Sequence, residues 1–540
     1  MQRKYVVITG GVLSGLGKGI ALASVGKLLS TKYKVIPIKC DGYLNVDPGT
    51  MNPVEHGEVF VLDDGGEVDM DFGHYERFLD VSCKIEWNLT MGKVFEEIRK
   101  KERRGDYLGR TVQMIPDVSN FIRNYFINVG DENKADIVLI EVGGTVGDME
   151  NELYIDAARS LARKVGKENV LFIHVTYVPI PSGVDEQKSK PTQQSIGLLR
   201  QRGIEPQIII ARCPKMLSEH VKQKISAACN INPEEVISGI DVDNIYKIPL
   251  VLESQGLSQL LARKLDISID SDLSKWKELI ERRENARNGI TIAIAGKYTS
   301  LEDSYASIIE AIHHCEANFG VKIKVKLIDT CQDFFDFNGV SGVIVPGGFG
   351  SRGTEGKIKA INYCRENKIP FLGICFGLQM AVIEFARNVC GFSANTTEVD
   401  KLCHYPVIDI MKSQKSVENK GGTMRLGSYP AIIKEGSLIH SLYGSTKISE
   451  RHRHRYEVNP DYHKILQEKG LVFSGLSPDG SLVEFIEIED HPYFVATQSH
   501  PELKSSLAKP APLFSGFVKA AVNYSEIVMQ EKAIIQKVGI

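Results

Sequence analysis

Two groups of residues in this chain have types and spacings that could do chemistry. The first is LGICFGLQM (372–380), where Gly373, Cys375 and Gly377 make G-x-C-x-G. Small residues around a cysteine allow a tight strand-to-helix turn, the cysteine form of a nucleophile elbow. A sulfur at a helix N-terminus is favoured as thiolate. The rival reading is a buried core cysteine between two packing glycines. A nucleophile needs a base and a group that orients the base. QSHPEL (498–503) offers His500 and Glu502, and Pro501 predicts an extended segment with both side chains facing one way. VPGGFGSRG (345–353) predicts a turn whose backbone N–H groups could hold an oxyanion. Together these suit acyl transfer through a thioester, and the obvious substrate is a carboxamide.

The second group begins at GGVLSGLGKGI (10–20), directly after the apolar run YVVIT. A phosphate-binding loop reads G-x-x-x-x-G-K-[ST]. Gly17 and Lys18 fit, but Val12 stands at the first glycine and Gly19 at the metal-binding hydroxyl. The setting of strand, glycine turn and helix still aims backbone N–H groups at one spot. Lys18 could then reach a β- or γ-phosphate. The rival is a plain glycine turn packing a βα unit. The missing hydroxyl calls for another metal ligand. EVDMDFGHYERF (67–78) places Asp69 and Asp71 two apart, which on extended chain predicts one shared face. Glu141 ends the apolar strand DIVLIEV, where ligands of open α/β sheets collect. Asp71 and Glu141 are therefore the candidate Mg²⁺ ligands. DEQKSKPTQQS (185–195) sets Lys188 and Lys190 two apart before Pro191, predicting extended chain, with Thr192, Gln193 and Gln194 to read a base or ribose. Taken singly, each carboxylate reads as a surface charge or helix cap, and the lysine segment as a solvated loop.

These groups need a scaffold. The chain has 540 residues, too many for one ordinary core, which predicts two or more domains. Apolar residues make up 43% and charged residues 25%, normal for a globular protein. The net charge of −3 gives no global basic field for nucleic acid. The longest near-apolar stretch, FLGICFGLQMAVIEFA, is broken by Gln379 and Glu384 and too short for a membrane span. The N-terminal apolar run is too short for a signal peptide. Ten cysteines without C-x-x-C pairs suit a reducing compartment, so a cytoplasmic location is expected. Strands are expected at YVVIT (5–9), KVIPIK (34–39), TVQMIP (111–116), DIVLIEV (136–142), VLFIHVTYV (170–178) and PQIIIAR (206–212). The alternation with helical stretches predicts a parallel sheet. The charged segment 266–288 reads as a linker. The alternation restarts at ITIAIAGKY (290–298), VKIKVKLID (321–329), GVSGVIVPGG (339–348) and IPFLGICFG (369–377), a second α/β domain. Residues 412–423 read as a loop.

At this point longer motifs carry a resemblance. SGLGKGI, NVDPGTMNPVEHGEVFVLDDGGEVDMDFGHYERF, KERRGDYLGRTVQ, EVGGTVGDMENE, KSKPTQ, DVDNIYKIP, GKYTSLEDSYASIIEA, VPGGFGSRGTEGK, GGTMRLG, ERHRHRYEVN and SHPE occur in the order found in CTP synthases. The chain resembles that family over nearly its whole length. DDGGEV and RGTEGKIKAI are similar to its eukaryotic branch. The resemblance implies a P-loop-like, dethiobiotin-synthetase-like synthetase domain at 1–265 and a class I glutamine amidotransferase domain at 289–540. It implies conversion of UTP to CTP with ATP and glutamine, through a 4-phosphorylated UTP, as the last step of de novo CTP synthesis. It implies that Ser14, Gly15, Leu16, Gly17, Lys18, Gly19, Ile20 and Lys39 hold triphosphate, that Asp71 and Glu141 hold Mg²⁺, and that Ile240, Asp241 and Val242 line the adenine side. Asp148, Met149, Glu150, Lys188, Ser189, Lys190, Pro191, Thr192, Gln193 and Lys224, with Ser14, match positions for UTP or the feedback inhibitor CTP. Cys375 would attack glutamine, His500 shuttle the proton and Glu502 orient His500. Gly347, with Gly348, falls in the oxyanion region. Phe376, Gly377, Leu378, Gln379, Glu398 and Arg455 match glutamine contacts, although RHRHRYE by composition is a basic surface patch. Pro53, His56 and Val59 match the gate of an ammonia tunnel, and Arg425 is a candidate contact for the activator GTP. Family members are tetramers, and several form filaments.

The chain departs from the family at Gly42, where proline is usual, at ENELYIDAAR (150–159), at Phe376, where leucine is usual, and at Ser499 and Leu503, where aromatic residues are usual. A stand-alone glutaminase, another ATP-dependent amidoligase and an inactive filament subunit are the competing readings. KSKPTQ and DVDNIYK argue against the first two, and the intact Lys18, Asp71, Glu141, Cys375, His500 and Glu502 against the third.

Overall fold

The computed structural model describes residues 2–332, 335–414 and 421–538. The loop expected at 412–423 lies partly outside the described residues. The chain divides into two compact units, Met1–Pro48 with Asp71–Lys277, and Gly49–Met70 with Glu278–Ile540. Residues 49–70 thus leave the N-terminal stretch with which the sequence reading grouped them. The segment expected as a linker at 266–288 carries the helix Ser274–Glu284 and the start of strand Arg287–Gly296.

The first unit is built on seven strands: β1 Lys4–Gly10, β2 Val35–Asp41, β3 Asn88–Thr90, β4 Ile137–Val142, β5 Val170–Tyr177, β6 Ile208–Cys213 and β7 Val236–Ile240. Their order is β3-β2-β4-β1-β5-β6-β7, and every pairing is parallel. β1, β2 and β4 are buried along their whole length, as strands covered on both faces must be. This explains why apolar runs were visible there. Helix α1, Lys18–Ser30, packs Leu22, Val25, Leu28 and Leu29 into that core.

One expected strand is not formed. Residues 111–116 run into a single wide helical turn at Met114–Val118, with Met114 and Ile115 exposed. Pro116 has no N–H to give a sheet ladder. The edge position beside β2 belongs instead to Asn88–Thr90, which the sequence reading missed.

The second unit holds a nine-stranded sheet: β8 Arg287–Gly296, β9 Val321–Asp329, β10 Gly342–Val345, β11 Phe371–Ile374, β12 Arg425–Ile433, β13 Lys447–His454, β14 Val472–Leu476, β15 Val483–Glu487 and β16 Phe494–Thr497. The order is β9-β8-β10-β11-β16-β15-β14-β12-β13. The half from β9 to β16 is parallel and the rest antiparallel. Two apolar clusters cover its faces, one around Phe371, Met380 and Phe494, the other around Ile344, Leu372 and Phe517.

Candidate active site

In the second unit, β10, β11 and β16 are neighbours, and their carboxyl ends release the glycine-rich turn 346–350, Cys375 and the His500 segment. Cys375 follows β11 directly and precedes the helix Phe376–Asn388, with φ 53° and ψ −104°. That backbone is strained for a residue with a side chain, a device concentrated at functional sites. The turn closes only with glycines beside it. A Cβ on Gly377 would lie 2.0 Å from the Val345 carbonyl oxygen, and one on Gly373 2.8 Å from Ala496 Cβ. The Cys375 N–H donates to the Thr497 carbonyl at 2.7 Å, tying the elbow to β16. Cys375 is thus buried, as the core reading expects, but at a strained turn, which a plain core cysteine does not need.

His500 Nδ1 meets Glu502 Oε1 at 2.7 Å. The Nε2 atom is buried and has no hydrogen-bonded partner among the described residues. Burial alone would lower the histidine pKa, but Glu502, and next Cys375, outweigh it and raise it to about 10. Both neighbours thus favour the protonated ring. The pairing expected of His500 and Glu502 is present, but by a different route. Pro501 opens a short 3-10 turn at Pro501–Lys504 rather than keeping the chain extended. Gly347 packs on the pair: a Cβ there would lie 3.2 Å from His500 Cε1 and 3.8 Å from Cys375 Cβ.

A cavity of about 450 Å³ opens in this unit, lined by Cys375, His500, Gly347, Gly348, Pro53 and Val59 among others. His56 is exposed and does not line it. Of the expected glutamine contacts, Arg455 lines the cavity and donates to Gln414 Oε1 at 2.5 Å and Thr423 Oγ1 at 2.9 Å. Glu398 accepts from the Gly350 N–H at 2.6 Å. Burial raises the pKa of this carboxyl. Phe376, Gly377, Leu378 and Gln379 are buried on the first turn after the elbow. The Gln379 amide donates to the Tyr456 carbonyl at 2.9 Å. Gln498, which the sequence reading passed over, donates from Nε2 to Cys375 Sγ at 3.6 Å. Its place two residues before His500 was the available signal. Arg425 is buried, paired with Glu484 at 2.6 Å and Glu457 at 3.4 Å, and not presented to solvent.

The first unit gathers its candidate residues at the same end of its own sheet. Gly17 caps α1 with φ 79°, and Val12 takes φ 82°. Val12 therefore keeps a glycine-like backbone at the position where a phosphate loop has glycine. Lys18 Nζ donates to the Gly144 carbonyl at 2.8 Å. Burial lowers the pKa of this amine. Gly19 explains the second departure: a Cβ there would meet Asp71 Oδ1 at 2.2 Å. A carboxylate from elsewhere in the chain sits where a serine or threonine hydroxyl would be.

Lys39 and Glu141 are side by side in the β2–β4 register. The Lys39 ammonium donates to Asp71 Oδ2, and to Glu141 Oε1 at 3.2 Å. Tyr75, one helical turn beyond Asp71 and unflagged in the sequence, donates to Glu141 Oε2 at 2.5 Å. Burial raises the Glu141 pKa; for Asp71 burial is outweighed by Lys39, His74 and Lys18 and the pKa falls. Asp71 starts the helix Asp71–Leu79 instead of lying on extended chain with Asp69. Two carboxylates meeting at an ammonium form a spot that already attracts a cation. Mg²⁺ takes one or two protein carboxylates with phosphate and water, so the donor set fits it. Among the described residues there is no larger cluster of metal-ligating side chains.

Leu16, Gly17 and Ile20 line a second, mostly apolar cleft with Gly239, Ile240 and Val242, while Arg212 pairs with Asp241 at 2.5 Å at its edge. Ser14 and Gly15 are exposed on the loop. Lys190 and Pro191 begin the helix Lys190–Gln201 rather than an extended run, because proline suits a first helical turn. Thr192 is fully buried and donates to the Tyr177 carbonyl at 2.9 Å, so its hydroxyl anchors that helix. Gln193 donates to Ser189 Oγ at 3.2 Å, and Lys188 pairs with Glu186 at 2.5 Å. Lys224 is exposed on the helix Glu219–Cys229. Met149 and Glu150 are exposed, and Asp148 accepts from the Thr145 N–H at 3.1 Å. A Cβ on Gly42 would lie 2.6 Å from Glu150 Cβ, so this departure lets the 148–150 turn approach β2 closely.

Comparison with known proteins places both halves. Residues 4–267 match the family described as CTP synthase N-terminus, and residues 300–520 match glutamine amidotransferase class-I. The CTP synthase of Borreliella burgdorferi is 50% identical over 533 residues, covering 96% of this chain and 99% of that one. That of Methanococcus maripaludis is 50% identical over 533 residues, covering 96% and 100%. That of Bacillus subtilis is 48% identical over 529 residues, covering 96% and 99%. Half of its residues shared along 96% of its length, together with matching family assignments for both halves, make this chain a member of the CTP synthase family.

Proposed function

We propose that the protein aminates UTP to CTP with ATP and glutamine, and that the observation carrying this reading is the Cys375–His500–Glu502 centre in a chain belonging to this family. Cys375 Sγ attacks the glutamine amide carbon. His500 carries the thiol proton at Nε2 and passes it to the departing nitrogen, so ammonia leaves and a thioester remains. Glu502 holds Nδ1 and stabilises the imidazolium. Water then releases glutamate. The backbone beside Gly347 and Gly348 receives the oxyanion.

In the first unit the uracil 4-oxygen is a poor leaving group until it carries a phosphoryl group. Lys18 and the 14–20 turn hold the triphosphate, and Ile240, Asp241 and Val242 line the adenine cleft. Asp71 and Glu141 would hold Mg²⁺, which would supply charge neutralisation at the phosphates. Ammonia displaces phosphate at C4. Asp148–Glu150, Lys188–Gln193 and Lys224 bind UTP or CTP, with Thr192 acting through the helix it anchors. Passage of ammonia inside the protein keeps it unprotonated, and Pro53 and Val59 belong to its path. His56 is the third gate residue by resemblance.

GTP activation, CTP inhibition, a homotetramer with filaments, a cytoplasmic location and a eukaryotic-like affiliation belong to the same reading. The last rests on DDGGEV and RGTEGKIKAI. No helix among the described residues is long and apolar enough to cross a membrane. A GTP contact at Arg425 requires that it leave Glu484, so Glu484→Gln should alter the GTP response. The direct test is spectrophotometric. Purified protein with UTP, ATP, Mg²⁺ and either glutamine or ammonia should form CTP, and no product with ammonia would reject the proposal.

A further inference from the structure

The motif ERHRHRYEVN reads as a basic surface patch, yet Arg451 is 2% exposed. Residues 450–454 of the motif form the end of β13, and the two-residue strand period separates their side chains. His452 and His454 face the buried Arg425, Glu457 and Glu484. Arg451 and Arg453 face the other way, onto residues 49–70. Arg451 Nε donates to Asp63 Oδ1 at 2.8 Å, and Nη1 to the Val61 carbonyl at 3.1 Å. Arg453 Nε donates to Glu67 Oε1 at 2.7 Å, and Nη2 to the Gly49 carbonyl at 2.9 Å. Glu67 is buried, so its pairing is shielded from water. The hairpin Phe60–Val61/Glu67–Val68 also touches β12 backbone to backbone. A Cβ on Gly427, whose φ is 94°, would lie 2.6 Å from the Gly65 N atom. The motifs DDGGEV and GGTMRLG are thus two sides of one docking contact.

The backbone of the same strand reaches the chemistry. The Arg451 carbonyl accepts from the His500 N–H at 2.7 Å, and the Arg453 carbonyl accepts from Cys375 Sγ at 3.6 Å. The Arg453 guanidinium lies 5.3 Å from the Phe349 ring of the oxyanion turn. Residues 49–70 in turn supply Pro53 and Val59 to the cavity wall. They also run directly into Asp71, the proposed metal ligand that opens the next helix.

We propose that Arg451 and Arg453 are positioning residues that clamp the 49–70 segment over the cysteine centre, so that the nitrogen freed at Cys375 is retained in the cavity instead of lost to water. The clamp rests on the reading of the protein as a glutamine-dependent CTP synthase. Breaking it leaves glutamine hydrolysis running while less of the released ammonia becomes CTP. Its signature is the ratio of CTP formed to glutamate released, which a general loss of stability does not move.

The test uses the full-length protein carrying Arg451→Met or Arg453→Met, with Asp63→Asn and Glu67→Gln as volume-preserving cuts from the other side. CTP from added ammonia is measured first, and it reports folding and the first-unit chemistry. With glutamine, the CTP-to-glutamate ratio should fall about threefold or more in each cut variant, as cutting a charge pair with at least one buried partner disturbs what it holds. Arg451→Lys, which keeps the charge, should recover part of the ratio. A ratio equal to the parent protein's in all four cut variants, with ammonia-supplied synthesis intact, overturns the clamp. Equal loss of both products from glutamine overturns it as well, because the arginines would then serve only the cysteine. Failure of the parent protein to make CTP from ammonia would instead overturn the underlying reading.

Discussion

The cysteine elbow and the phosphate turn use the same strained geometry for different ends. Each places a non-glycine residue at positive φ between a parallel strand and a helix, Cys375 at 53° and Val12 at 82°. At Cys375 the strained residue itself carries the thiol proposed as nucleophile, and the glycines around it make room. At Val12 the strained residue has no chemistry. It keeps the loop shape while Gly17, Lys18 and Gly19 carry the proposed binding, and the Asp71 carboxylate lies where the missing hydroxyl would be. Strain in the first aims a side chain; in the second it preserves a curve of backbone N–H groups.

Four substitutions or conditions probe this contrast. The largest effect is expected for Cys375→Ala, which should cut glutamine-dependent CTP formation by at least about 1000-fold and leave ammonia-dependent formation unchanged. Next is Gly19→Ser, which restores the usual phosphate-loop residue. Because its Cβ would meet Asp71 at 2.2 Å, ammonia-supplied synthesis should fall by about 100-fold, as displacement of a catalytic group by an ångström can do. A gain in activity would show that the carboxylate does not replace the hydroxyl.

The third is pH. His174 is buried between Thr9 and Ser195, and burial lowers its pKa from 6.5 to about 3. The unfolded chain takes up this proton near 6.5 and the folded protein does not, so stability falls as pH drops below that value. The denaturant midpoint should record a loss of about 2 kcal/mol between pH 7 and pH 5 that His174→Gln lacks. The smallest effect is expected for Val12→Gly. Relief of strain, offset by the freer unfolded chain, should raise stability by about 1 kcal/mol or less and leave the KM for ATP unchanged. A large rise in that KM would mean that the valine side chain itself contributes to binding.

What could be read from the residues alone follows from the range of the forces involved. β1, β4 and β5 announce themselves as apolar runs because both of their faces are buried. The elbow is visible because G-x-C-x-G is a local steric requirement. The grouping of 49–70 with the second unit is not legible locally, because its holding contacts, such as Arg451 to Asp63, join positions hundreds of residues apart. β13 was hidden because its two faces are both polar, one of histidines and one of arginines, so the alternation carried no apolar signal. Asp71 and Glu141, expected to share a cation, meet at the Lys39 ammonium, although the extended chain invoked for Asp71 is a helix start. Tyr75 and Gln498 needed spatial proximity to be noticed.

The account stands on nitrogen passing from Cys375 to the pyrimidine without mixing with water. The most direct measurement supplies amide-¹⁵N glutamine together with excess unlabelled ammonium, UTP, ATP and Mg²⁺, and reads the isotope in the product by mass spectrometry. CTP enriched in ¹⁵N well above the proportion of labelled ammonia in solution is the predicted result. CTP labelled only to the solution proportion, or no CTP at all, would contradict it.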